Sequence, residues 1–142
     1  MTATLDPSTK AGAHALERLA TERMGWLTSV TPGGQPQTLP IWFLWADGEV
    51  FLYSRKNAKR NENIRAEHRV SFNLDTEDDG DDIVAMEGTA RFDPDGPLCS
   101  QYPEYIAKYA GKLEEYGWGP DHMDREYPVI IRVTPTRWRG VG

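Results

Sequence analysis

Gln37-Thr38-Leu39-Pro40-Ile41-Trp42-Phe43-Leu44-Trp45, then Ala46-Asp47-Gly48, then Glu49-Val50-Phe51-Leu52-Tyr53-Ser54, is the stretch from which the architecture follows. Aromatic and β-branched residues fill both runs, and Asp-Gly between them suits the positive backbone angles of a tight hairpin. The stretch therefore predicts two antiparallel strands, 37–45 and 49–54. Pro40 has no N–H for a sheet ladder, so its strand lies at an edge, or is bulged or interrupted there. Toward the N-terminus, 26–31 reads as a further strand ending in the turn Pro32-Gly33-Gly34-Gln35. Before it, Asp6-Pro7-Ser8 opens an amphipathic helix that carries Ala13, Leu16, Leu19 and Ala20 and runs as far as Arg23. Toward the C-terminus, 69–74 and 82–92 read as strands on either side of an acidic loop. Asp93-Pro94-Asp95-Gly96-Pro97 interrupts the sheet pattern, 103–111 reads as a helix, and 127–134 returns to strand. No repeat or linker divides the chain. Residues 1–142 are expected to form one mainly β domain of antiparallel strands, a closed or partly closed barrel with flanking helices, one of them N-terminal.

Composition narrows the class. Hydrophobic residues make up 39% and charged residues 27% of 142 positions, as in a globular protein with a core of its own. No apolar run approaches the roughly 20 residues needed to span a bilayer, so no membrane association is expected. Residues 1–23 lack an apolar core followed by a small-residue cleavage site, and the single Cys99 has no internal disulfide partner; a cytoplasmic location is expected. A formal net charge of -6 argues against a general nucleic-acid binder.

Against that acidic background the segment from Ser54 to Arg69 carries six cations (Arg55, Lys56, Lys59, Arg60, Arg65, Arg69) and two acids (Glu62, Glu67). It follows a strand and leads into a helix-compatible stretch. A helix N-terminus offers unpaired N–H groups and a positive dipole end, and neighbouring Arg or Lys supplies charge-assisted hydrogen bonds to phosphate oxygens. The competing reading is a solvated basic helix face.

Other chemistries find little support. His14, His68 and His122 are far apart with no ligand-like spacing, so no metal site is expected. Cys99 and His122 sit in no recognisable nucleophile motif, and Cys99 beside Leu98 reads as a small buried residue. Asp75-Thr76-Glu77-Asp78-Asp79-Gly80 matches the first half of a calcium-binding loop, but the twelfth position is Met86 where a bidentate Glu is needed. An acidic, solvated hairpin loop is the expected outcome.

The ordered set Gly25-Trp26-Leu27-Thr28-Ser29-Val30, Pro36-Gln37-Thr38-Leu39-Pro40-Ile41-Trp42, Asp47-Gly48, Phe51-Leu52-Tyr53-Ser54-Arg55, Asn63-Ile64-Arg65, Arg69-Val70-Ser71-Phe72, Glu87-Gly88-Thr89-Ala90 and 132–140 resembles a family of split β-barrel flavin and deazaflavin oxidoreductases. These are relatives of pyridoxamine 5'-phosphate oxidase, and the likeness is strongest to their coenzyme F420-dependent B branch. It covers nearly the whole chain from Gly25 onward. The resemblance implies a split β-barrel of the FMN-binding type and a homodimer with two cofactor sites at the subunit interface. It implies F420 as cofactor, with FMN as the alternative, and hydride transfer to a small conjugated substrate. A non-catalytic F420 or flavin carrier is the second reading. Carried onto this sequence, the resemblance puts Ser54, Arg55 and Asn63 at the cofactor phosphate, with Lys59 or Arg60 as a second cation. It lays Gln37, Thr38, Leu39, Pro40, Ile41 and Trp42 along the cofactor ring. Trp138, between Arg137 and Arg139, is a candidate for an aromatic that closes over a ligand. Hydride transfer from a carrier needs positioning and exclusion of water rather than a side-chain nucleophile. If the substrate needs a proton, Tyr53, Tyr127 and bulk water are the candidate donors.

Overall fold

The computed structural model describes residues 2–77 and 79–141. Thr9, rather than the Asp6–Ser8 segment, starts the first helix: its Oγ1 accepts the Gly12 N–H at 3.0 Å, and α1 runs Lys10–Thr21 with Ala15 and Leu19 turned into the core. Strands β1 (Met24–Val30), β2 (Pro36–Trp42), β3 (Leu44–Ala46) and β4 (Glu49–Ser54) follow, with Asp47 and Gly48 at positive φ in the β3–β4 turn. Helix α2 (Lys59–Ala66) leads to β5 (Arg69–Leu74) and β6 (Ala85–Phe92). A short 3-10 turn (Cys99–Gln101) precedes α3 (Pro103–Tyr116), α4 (Pro120–Glu126) and β7 (Val129–Arg139).

All seven strands form one antiparallel sheet in the order β2-β1-β5-β6-β7-β4-β3. Strands β2 and β3 sit at opposite edges, yet Phe43 alone separates them in the chain. The sheet must therefore curl until its two edges nearly meet, which makes it a split β-barrel with flanking helices. The expected single strand 37–45 is thus two strands, and the break falls at Phe43 rather than Pro40. Pro40 is accommodated because β2 is an edge strand whose one partner is β1. At the seam, Phe43 sits in neither edge ladder. The Tyr109 hydroxyl of α3 takes over, accepting the Phe43 N–H at 2.7 Å and lying 2.7 Å from the carbonyl oxygens of Phe43 and Arg23. Lys108 Nζ donates to the same Phe43 carbonyl at 2.8 Å.

The uninterrupted apolar run of β4 is explained by cover on both faces. Val50 and Leu52 point into the barrel with Leu27, Phe72, Ile131 and Val133, whereas Phe51 and Tyr53 point outward against Tyr105, Tyr109, Leu113 and Met123 of α3 and α4. Several sequence-based boundaries shift. Helix α3 reaches Tyr116 and α4 is an additional helix. Strand β6 begins at Ala85. Strand β7 continues past Thr134 to Arg139, because a register shift between Glu87 and Gly88 lets Pro135 sit opposite Gly88 without a ladder hydrogen bond. The acidic loop lies between β5 and β6, where Arg18 of α1 holds the Asp75 and Asp82 carbonyls; its Asp78 lies outside the described residues. No helix among them is long and apolar enough to cross a membrane.

Candidate functional site

The end of β4 turns into α2 through a buried polar joint. Asn61 is buried; its Oδ1 accepts the Ser54 hydroxyl at 2.9 Å and its Nδ2 donates to the Arg55 carbonyl at 2.8 Å. This holds the 55–60 loop rigidly and aims its cations in different directions. Lys59 is exposed and paired with Glu62 at 3.0 Å. Arg69 turns to Glu67, whose carboxyl is held low, to about 2, by that hydrogen bond. Arg65 lies over the Phe92 ring. Arg60 differs from all of these: it is half-buried, its Nη1 lies 3.4 Å from Ser54 Oγ, and among the described residues it has no carboxylate partner. Burial pulls its pKa below the ordinary guanidinium value. Arg55 is more exposed, donating to the Tyr127 hydroxyl at 3.0 Å with Glu126 at 3.9 Å.

Arg55, Lys59 and Arg60 line a cavity of about 500 Å³, within the range of cofactor sites. Its wall is otherwise apolar and aromatic. Leu39, Pro40, Ile41 and Trp42 of β2 contribute to it, together with Tyr105, Tyr116, Trp118, Met123 and Tyr127 from α3, α4 and the turns that flank α4. Trp42 stacks on Tyr109 with ring centroids 4.7 Å apart and planes 9° apart, and Tyr116 and Trp118 stand 6.3 Å from it. The lining thus combines guanidinium groups with flat rings, Arg55 lying over Tyr127 at 4.7 Å from its centroid. That arrangement suits a planar ligand carrying an anionic group.

Seven of the twelve residues expected from sequence line this cavity: Leu39, Pro40, Ile41, Trp42, Arg55, Lys59 and Arg60. Ser54 sits one layer behind, in the Asn61 joint. Asn63 and Gln37 bond to one another, Asn63 Nδ2 reaching Gln37 Oε1 at 2.9 Å and Ser29 Oγ at 3.0 Å, so they brace α2 against β1 and β2. Thr38 pairs its hydroxyl with that of Thr28. Trp138 stands apart from the cavity. Because β7 continues as regular strand, its indole is packed edge-to-face on Trp45 at 5.9 Å, with its N–H toward the Ala3 carbonyl, and is half-buried rather than free to close over a ligand within this chain. The α3 and α4 part of the wall was missing from the sequence-based site. Its signal was the spacing of Tyr105, Tyr109 and Tyr116, which puts aromatic rings at helical intervals along one segment, with Trp118 just beyond it.

Of the candidate proton donors, the Tyr53 hydroxyl is committed to the Pro97 carbonyl at 2.7 Å, and burial pushes its pKa up. Tyr127 lines the cavity beside Arg55. Cys99 is buried and its thiol is pushed up to about 11, which makes it a poor nucleophile. No cluster of three or more metal-binding side chains occurs among the described residues.

No protein of curated function matches the sequence. Several solved structures share the fold. A conserved hypothetical protein of Mycobacterium tuberculosis is 24% identical with a TM-score of 0.72, the match covering 98% of this chain and 88% of that one. An F420 reductase is 25% identical with a TM-score of 0.69, covering 87% and 95%. An FAD-binding protein of Mesorhizobium loti is 19% identical with a TM-score of 0.63, covering 89% and 88%. At these identities the first and third matches speak for the fold alone. The family model described as pyridoxamine 5'-phosphate oxidase aligns with residues 12–142, which include all seven strands and the whole cavity wall, and the chain therefore belongs to the pyridoxamine 5'-phosphate oxidase family.

Proposed function

We propose that the protein is a coenzyme F420-dependent oxidoreductase that passes a hydride from reduced F420 to a small conjugated organic acceptor, and that it works as a homodimer. The observation that carries the reading is Arg60: a half-buried guanidinium with no carboxylate partner among the described residues, lining an otherwise apolar, aromatic cavity. An unpaired cation held in a partly desolvated position is costly unless a ligand supplies the anion. The residues fit F420 by the chemistry of their donors. Arg60 and Arg55 would hold the phosphodiester, and Leu39, Ile41 and Trp42 would cover the ring. When bound, F420 supplies a two-electron hydride donor at carbon 5 of its reduced ring. The chain's own work is to orient the ring between β2 and the aromatic wall and to exclude water from the acceptor. The F420 reductase among the similar structures supports the choice of cofactor.

The exposed rim of the cavity supports the dimer. Leu39 is 55% and Met24 39% exposed, and residues 36–40 of the edge strand β2 are all exposed, so this apolar edge is the natural seat for a second copy. The test is direct: titrate F420 and follow quenching of its fluorescence, then mix reduced F420 anaerobically with enones and quinones. Binding with oxidation is expected. Binding without oxidation by any acceptor would favour a carrier, and tighter binding of FMN than of F420 would overturn the cofactor choice.

A further inference from the structure

Two parts of the cavity lining are held in different ways. The cations follow the buried Asn61 joint described above, whereas Trp118 sits at a corner between two glycines. Gly117 is demanded by its backbone. It adopts φ +69 at the end of α3, where the Gly117 N–H bonds the Glu114 carbonyl at 3.1 Å and the Trp118 N–H reaches back to Leu113 at 2.9 Å. Gly119 is not demanded in this way. Its φ of -77 and ψ of 171 are open to any residue, and a Cβ there would meet nothing within 4 Å.

The indole is packed mainly against its own corner. It stacks on His122 of α4 with centroids 4.6 Å apart and planes 19° apart, and it lies 5.0 Å from Tyr116; Trp42 and Tyr127 are both at 6.3 Å. We infer that Trp118 is the specificity-determining residue of this cavity: its indole lines the wall one ring beyond Tyr127, over which Arg55 lies 4.7 Å from the ring centroid, and it sets the length of planar ring that can enter. This rests on reading the cavity as a site for a planar ring bearing an anion.

Naphthalene-2-sulfonate and pyrene-1-sulfonate are suitable probes, a short and a long flat ring each with one anion for Arg60. Calorimetric titration of the full chain should show that Trp118→Ala raises the pyrene-to-naphthalene affinity ratio at least tenfold, with Trp118→Phe intermediate. A purely structural Trp118 would weaken both probes alike; an unchanged ratio in both Trp118 variants overturns the inference, and Trp118→Phe carries the answer alone if the alanine variant does not fold. Failure of the wild-type protein to bind either sulfonate overturns this inference together with the planar-anion reading of the cavity. Failure to bind F420 while the ratio still responds removes only the cofactor assignment.

Discussion

Arg60 and Lys59 are sequence neighbours with opposite surroundings. Lys59 is exposed and already engaged by Glu62, so Lys59→Ala should weaken F420 binding by no more than about 1 kcal/mol, the range for screened surface pairs. Arg60 is half-buried without a carboxylate among the described residues, and Arg60→Ala should weaken binding by about 1.5 to 3 kcal/mol, the range for hydrogen bonds to charged groups. Fluorescence titration of the two variants side by side is the check, and equal losses would remove Arg60 from the anion site. The sequence placed both cations in the basic segment that follows a strand and leads into a helix; the direction of each side chain came from the Ser54–Asn61–Arg55 joint.

At the scale of elements, α3 works as a clamp across the barrel seam. Tyr109→Phe removes the hydroxyl that accepts the buried Phe43 N–H, and leaving that donor unpaired should cost about 1 to 3 kcal/mol of stability in urea unfolding with the fold retained. Lys108 gives the same clamp a pH dependence. Burial lowers its pKa to about 8 from the ordinary 10.5. Between those values the unfolded chain holds a proton that the folded chain has released, so the Lys108 contribution to stability rises as pH increases from about 8 toward 10.5. Lys108→Met should flatten that rise when unfolding is followed from pH 8 to 10. Measurement should stop there, because burial raises the pKa of Tyr53, Tyr105 and Tyr109, and their linkage acts in the opposite direction above pH 10.

At the scale of the whole molecule, the exposed β2 edge and the apolar rim at Met24 and Leu39 predict a dimer. Light scattering at micromolar concentration should give twice the 16.1 kDa chain mass, and a monomer would remove the homodimer proposal. The remaining exposed cations, Lys56 and Lys59 among them, suit the carboxylate-bearing tail of F420 better than the single terminal phosphate of FMN. Preference for F420 over FMN should therefore fall as salt rises, since exposed pairs are screened over about 8 to 10 Å. Titrations of both cofactors at low and high ionic strength test this, and a salt-independent preference would show that the tail is not held by these charges.

The hairpin at Asp47-Gly48, the apolar run of β4, the constraint that Pro40 puts on its strand and the cation cluster after Ser54 were all legible in the sequence. Each is written within a few residues, in side-chain period, turn chemistry or local charge. Tertiary structure alone decided that the barrel seam falls at Phe43, because that depends on how far seven twisted strands curl before their edges meet. It alone brought Tyr105, Tyr116, Trp118 and Tyr127 opposite residues 39–42 and turned Arg60 inward while Lys59 turned out. Those contacts join segments more than forty residues apart, and their geometry is set by the packing of α3 and α4 on the outer face of β4, which no local pattern encodes.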